Sequence, residues 1–591
     1  MRALSLTALL LRLGLLLAPI VCVPASATLA EDGWSPFRTN DRPPAGAARS
    51  GERPAPVAAE PVREREPHPG RGEATRWVSP RAGVVEKSEL APLMAPDASG
   101  LPFELWRGID LAALEALLAQ LELPPRSPAL HGLWRRMLLS SAAPPAGAAA
   151  DHFVALRLEA LYRSGLLAEM ETVMNGSPVQ GPVVATLRAR RDIGMGRREV
   201  GCKEIATLLA PGSGLPGRLR SEAQLLSGYC AAVAGDAKAA GLAADLARED
   251  GLEAELPLAV LAAFAAGSKP RLALPARVLL LDYRFLELLG PVNVAQILGQ
   301  AEPALVAVLA DSGQPDAPVR VAAAERALAL NVLPPEALAD IYRRQPLAGA
   351  RPAAGSSEPM RRALYFQAIE AARAPEQRVR FLRGLLEDAH RMGTHLQMAR
   401  AVAPLLAAGP PPREFGRAAE PMIEAGLLAG QYEQARSWAD RAGLRQWRAL
   451  IDVADPARRT GRPPSLAAME EMALQGRLDA STLHRLATVL DALDIDVPMG
   501  LWEAAGRTPQ PSDGYLPETG VLADLAQASG RGEGGRTILL VLRTLGAGGP
   551  RGAHMLALAD AIRALKRIGL ENDARQLALE ALIAVWPRSS G

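Results

Sequence analysis

Two cysteines carry the first chemistry that the sequence suggests. Cys202 stands in "REVGCKEIATLLA" and Cys230 in "SGYCAAVAGDAKAAGLAADLARED", two helical patterns separated by the turn "PGSGLPG". Antiparallel packing would bring the two thiols to similar heights. If the chain is exported, as its N-terminus indicates below, such a pair reads as one structural disulfide. Closing a loop of this length stabilises a fold by ~3–4 kcal/mol on the chain-entropy model. The rival readings are two free buried thiols and a redox pair, which ordinarily needs Cys-x-x-Cys spacing and an activating helix end.

A second cluster is "DAHRMGTHLQMAR", with His390, Met392, His395 and Met398. Imidazole and thioether ligands together suggest copper. On one continuous helix these four side chains spread over more than half the circumference, so they converge only if the helix breaks at Gly393. We read them as surface histidines and core methionines, and assign no metal ligand and no cofactor. The stretch "SGRGEGGRTILLVLRTLG" places a glycine-rich basic loop before a helix, where an anion can bind. It lacks the Gly-Lys-Ser/Thr of a phosphate-binding loop and reads as an ordinary exposed loop. In "LRARRDIGMGRREVGCK", Arg188, Arg190, Arg191, Arg197, Arg198 and Lys203 form a basic patch diluted by Asp192 and Glu199, expected to be a solvated outer face.

Enzyme signatures are missing: there is no Gly-x-Ser-x-Gly, His-Glu-x-x-His or dinucleotide fingerprint. A glycan cleft needs two carboxylates at a set separation, and sugar clefts usually add aromatic platforms. Only 8 Trp, 7 Tyr and 8 Phe are scattered through 591 residues, so no catalytic residue is assigned and no enzyme is expected. The 66 basic and 64 acidic side chains leave a net charge of +2, which gives no global field for nucleic acid.

The elements that must position these residues read as helices. Aromatics are 4% of the chain, and the apolar material is mostly Ala, Leu and Val, which favours helices over sheets. Ser127 with Pro128, Ser177 with Pro178, and Pro335 mark helix starts. One helix is expected over 105–123, stopped by Pro124 and Pro125, and a core helix within 257–267. From about Arg218 to Ala234, Leu219, Ala223, Leu226, Cys230 and Val233 form one apolar stripe. Gly235 then turns the chain, and Ala240, Ala243 and Ala247 face back, small enough for two helix axes to approach closely.

The layout recurs. Gly235, Ala240 and Ala247 share their spacing with Gly430, Ala435 and Ala442 and with Gly569, Ala574 and Ala581; Gly165 precedes Met170 at the same offset. The last hairpin carries Met555, Leu558, Ile562 and Leu565 on its first helix, with Pro587 beyond the second. These four hairpins resemble degenerate tetratricopeptide repeats. The resemblance implies an all-α fold, an extended α-solenoid of stacked helical hairpins whose concave face takes peptides or partner helices. On that reading Leu226, Tyr229, Met422 and Glu424 line the groove or pack beneath it.

The N-terminus supplies the compartment. Arg2 and Arg12, the apolar "LGLLLAPIVCV" and the small "ASA" read as a signal peptide over 1–30, too short in its apolar part to span a bilayer. Residues 31–100, rich in Pro, Arg and Glu, read as a disordered linker. Helical-repeat regions follow at 101–345 and 359–591, joined by a second linker at 346–358. The sequence thus points to an exported, periplasmic, non-enzymatic scaffold with a protein or peptide partner in the envelope, no nucleic acid, and no transmembrane span after signal removal. The alternatives are a glycan-active or peptidoglycan-associated helical enzyme, and an accessory subunit of a membrane-embedded envelope machine.

Overall fold

In the computed structural model, Arg76–Gly591 forms one unit. The described residues are 99–588 without 148, 178, 180, 212–214, 312–315, 347–356, 407–418 and 458–461. The expected signal segment, nearly all of the 31–100 linker and most of the 346–358 linker lie outside them. Among the described residues the chain is all-helical, with 28 α-helices and one 3-10 turn. Two isolated parallel bridges pair Val278 with Ala301 and Tyr515 with Ala553.

Helix punctuation explains most boundaries. Ser127 caps the Pro128–Leu139 helix, its hydroxyl accepting from Leu130 N–H at 3.2 Å. Pro335 opens the Pro335–Arg343 helix. Two expected boundaries are corrected. The helix expected over 105–123 is confined to Leu111–Ala119, because the Asp110 carboxylate accepts from Ala113 N–H at 2.7 Å and fixes the start there. Leu105 and Trp106 are buried instead on the Gly534–Leu545 helix, where Gly535 N–H donates to Leu105 O at 2.7 Å. A Cβ on Gly535 would sit 2.9 Å from that oxygen, so the glycines of this stretch serve close packing. The helix expected to start at Ser177 starts at Pro182, and Ser177 terminates the preceding helix.

One turn joins helix to helix repeatedly. At Gly235 (φ 82°) the glycine N–H donates to Ala232 O and the Asp236 N–H to Ala231 O, so the left-handed residue closes the outgoing helix and the next begins at once. Gly165, Gly430 and Gly569 make the same pair of bonds, and so do Gly196, Gly251, Gly267, Gly393, Gly476 and Gly532. Asn331 (φ 59°) and Asp494 (φ 56°) take the glycine's place, and the Asn331 side-chain amide donates to Pro125 O and Arg126 O.

The helices also make contacts between segments distant in sequence. The Pro128–Leu139 helix packs on the Glu571–Ile583 helix. There the Glu580 carboxylate accepts from Ser127 Oγ at 2.5 Å and from Ala129 N–H at 2.7 Å, 453 and 451 residues away in sequence. Arg136 pairs with Asp573 beside it. Gly165 approaches Pro303 so closely that a Cβ would lie 2.7 Å from the Pro303 carbonyl. The helices that flank residues 347–356 also pack together, Pro335–Arg343 on Glu358–Ala371, and Pro335–Arg343 packs on His395–Leu406 as well. Hydrogen bonds and an ion pair thus join helices that are far apart in sequence.

Candidate interaction surface

Large apolar side chains remain uncovered around the Met499–Gly506 helix. That helix follows Pro498 and sits directly on Leu466–Leu474: Gly500 N–H donates to Glu470 Oε1 at 2.9 Å, and a Cβ on Gly500 would be 3.3 Å from Leu474 Cγ. Glu470 is held in turn by Arg462 at 2.8 Å. The close approach places exposed Leu474 against Gly500, the residue after Met499, and Met499 and Trp502, three residues apart, share one helix face. Met499 is 68% and Trp502 47% exposed, in a chain whose other tryptophans among the described residues are mostly buried.

The loop that follows presents a second group. Tyr515 N–H donates to Gly552 O at 2.8 Å and His554 N–H to Tyr515 O at 2.9 Å, which pins the loop. Gly514 (φ 100°) permits this, since a Cβ there would lie 2.7 Å from His554 N. The Tyr515 ring covers Gly546, and Tyr515, Leu516 and Leu556 are exposed. At the loop's start Thr508 O lies 3.0 Å from His484 Nε2. Backbone hydrogen bonds hold the loop in place while its apolar side chains face outward.

The structure places the residues singled out in the sequence as follows. Cys202 and Cys230 form a disulfide with Cα atoms 5.6 Å apart, joining the Arg198–Leu208 and Gly217–Val233 helices. Gly235, Gly430 and Gly569 are exposed turn residues; Ala240, Ala247, Ala435, Ala574 and Ala581 are buried, and Ala442 is half-buried. Leu226, Tyr229, Met422 and Glu424 are all buried, so they pack beneath the surface rather than line a groove. Met392 is exposed and Met398 buried.

Two sequence readings are corrected. The basic patch is not one solvated face, because Arg190 and Arg191 are buried. Arg190 pairs with Glu159, stands 3.7 Å from Glu222 and stacks 4.1 Å over the Tyr162 ring; Arg191 pairs with Glu171 and Asp192. Burial works to lower the Arg190 pKa, but the charges of Glu159 and Glu222 outweigh it and hold the guanidinium protonated. The histidines are not surface residues either. His395 is buried, His390 half-buried, and their rings stack at 4.1 Å with an 11° tilt.

Sequence reasoning missed Trp502 and Tyr515 because an isolated aromatic carries no periodic signal, and exposure depends on what packs nearby. The signal that was available is the dense run of turn residues in "GRTPQPSDGYLPETG", which interrupts an otherwise helical chain. No family model matches the chain, and neither the curated proteins nor the solved structures compared with it give a match.

Proposed function

We propose that the chain is an exported, non-enzymatic helical-repeat scaffold that binds a protein partner in the bacterial cell envelope. The observation that carries this reading is the exposed group of Leu474, Met499 and Trp502, continued in chain order by Tyr515, Leu516 and Leu556. Surfaces of soluble monomers scatter such side chains singly, whereas aromatic and methionine anchors concentrate at protein interfaces. Two such groups on backbone-pinned elements suit an apolar segment of a partner, because little conformational freedom is lost on binding. The Cys202–Cys230 disulfide supports an oxidising compartment. Among the described residues no helix is long and apolar enough to cross a membrane.

Site-specific photo-crosslinking tests the reading, with the reactive residue placed at Leu474 and the adduct identified by mass spectrometry. Its affinity for the purified chain is then measured. The double variant Met499→Ser, Trp502→Ala should bind that partner at least about thirtyfold more weakly, the cost of removing one anchor. Equal binding by parent and variant, or cleavage of purified glycan strands by the chain, overturns the proposal.

A further inference from the structure

The break at Gly393 brings together groups that a continuous helix would separate. The Pro375–Arg391 helix ends, Gly393 (φ 70°) turns the chain, and the next helix starts at His395. His390 and His395 thereby lie side by side rather than on divergent faces. Opposite them, the Glu420–Leu428 helix contributes Glu424, whose side chain is 3% exposed. Glu424 Oε2 is 3.0 Å from His390 Nε2, and Glu424 Oε1 is 3.9 Å from His395 Nε2. One potential ligand atom from each residue lies within 4.8 Å of the other two.

Two buried polar atoms in this cluster lack hydrogen-bond partners: Glu424 Oε1 and His395 Nδ1. A buried carboxylate oxygen without a donor is costly, and its neighbour is an imidazole nitrogen too far away to bond it. We propose that His390, His395 and Glu424 form a binding site for one borderline divalent cation of the zinc type, which Arg588 covers when no ion is bound. The donor set fits that cation class. Imidazole nitrogen and carboxylate oxygen suit zinc, whereas magnesium and calcium require oxygen ligands. Ligand atoms around a tetrahedral zinc ion stand roughly 3.3 Å apart for bonds of ~2.0–2.1 Å. Side-chain rotations that unstack the two imidazole rings would close the present spacing to that value. Three protein ligands leave one position for water or a small anion.

Arg588 sets the competition. Its guanidinium donates to Glu424 Oε2 at 2.7 Å, and its side chain is 40% exposed, so it is free to swing outward when an ion arrives. The charged groups facing His395 are His390, Glu424, Arg551 and Arg588. The two arginines weaken the site for a cation, and removing the nearer one should strengthen it. Met392 and Met398 do not belong to the set, one being exposed and the other buried in the core.

The test uses the untagged chain, stripped with chelator and titrated calorimetrically with Zn²⁺. One equivalent should bind, Mg²⁺ in excess should not displace it, and the melting temperature should rise with Zn²⁺. Glu424→Gln and His390→Gln should each weaken binding at least about tenfold. Arg588→Gln should instead tighten it severalfold, a gain that general damage to the fold would not produce. His390 is half-buried at a helix end, so its variant keeps the test valid if Glu424→Gln does not fold. No stoichiometric binding, or binding unchanged in the His390 variant, overturns the assignment; an unchanged affinity in Arg588→Gln overturns the covering role.

Discussion

Two buried carboxyls govern the start of one short helix and make stability depend on pH. Glu302 is buried, and its Oε1 accepts from Leu280 N–H at 2.7 Å at the head of the Leu280–Leu286 helix; Asp282 Oδ2 accepts from Leu279 N–H at 2.9 Å. Burial raises the Glu302 pKa to about 7 against the weaker pull of its Leu280 hydrogen bond and of Arg277, and raises that of Asp282 to about 6. Both folded values exceed the unfolded ones, so the native state holds protons that the unfolded chain has released. Their contribution is fully present below about pH 4 and is lost as pH rises through about 6 and 7. For Glu302 alone the loss amounts to about 3 kcal/mol. His131, buried and lowered to about 4, acts in the opposite sense, since the unfolded chain binds the extra proton between about pH 4 and 6.5. Comparison with a variant isolates the carboxyl. Glu302→Gln keeps an acceptor for Leu280 and should be the more stable protein at pH 8, with the gap closing toward pH 5. Urea melts across that range check this, and a gap independent of pH would refute it.

At the scale of elements, packing distance decides which glycines are replaceable. Gly228 lies in the Gly217–Val233 helix, where a Cβ would be 2.7 Å from Leu261 Cδ1, 3.2 Å from Ala243 Cβ and 3.4 Å from Ala240 O. Leu261 is fully buried and cannot yield easily. Gly228→Val should therefore destabilise by about 1–3 kcal/mol despite the helix propensity gained. Gly132, within Pro128–Leu139, has open space around its Cβ position, and Gly132→Ala should stabilise by up to about 1 kcal/mol. Thermal melts of the pair give opposite signs if packing rather than propensity governs Gly228. This level was partly legible in the sequence. The stripe through Leu219, Ala223 and Leu226, the small residues facing it and the disulfide all follow from local spacing. Burial of Arg190 did not, because its partners Glu159 and Glu222 stand 31 and 32 residues away on other helices and no periodicity pairs them. The start at Leu111 was hidden by apolar residues that recur upstream at Leu105, Trp106 and Ile109, where tertiary contact with Gly535 overrides helix propensity. Glu424 was visible only as an acid inside the apolar "PMIEAGLLAG", a signal of burial without a stated partner.

Contacts between distant helices change how the unit as a whole should respond to damage. In an open stack each hairpin depends on its neighbours alone, so loss of a terminal hairpin stays local. Here the Glu571–Ile583 helix packs on Pro128–Leu139, on Arg445–Ala454 and on Ala480–Ala492. Glu580 caps the start of the first of these, and Arg575 Nη1 donates to Val453 O at 2.8 Å in the second. The helix is thus a shared support for segments that include one 451 residues away in sequence. Glu580→Ala removes the acceptor for Ser127 Oγ and Ala129 N–H and leaves both donors unpaired at the helix start, at a cost of about 2–3 kcal/mol. Hydrogen exchange locates that cost. Amides of 128–139 should exchange faster along with those of 571–583, whereas those of 217–265, whose helices pack on one another, should be unchanged. Faster exchange confined to the substituted hairpin would mean that the two ends merely touch; faster exchange in both segments would mean that each end of the array stabilises the other.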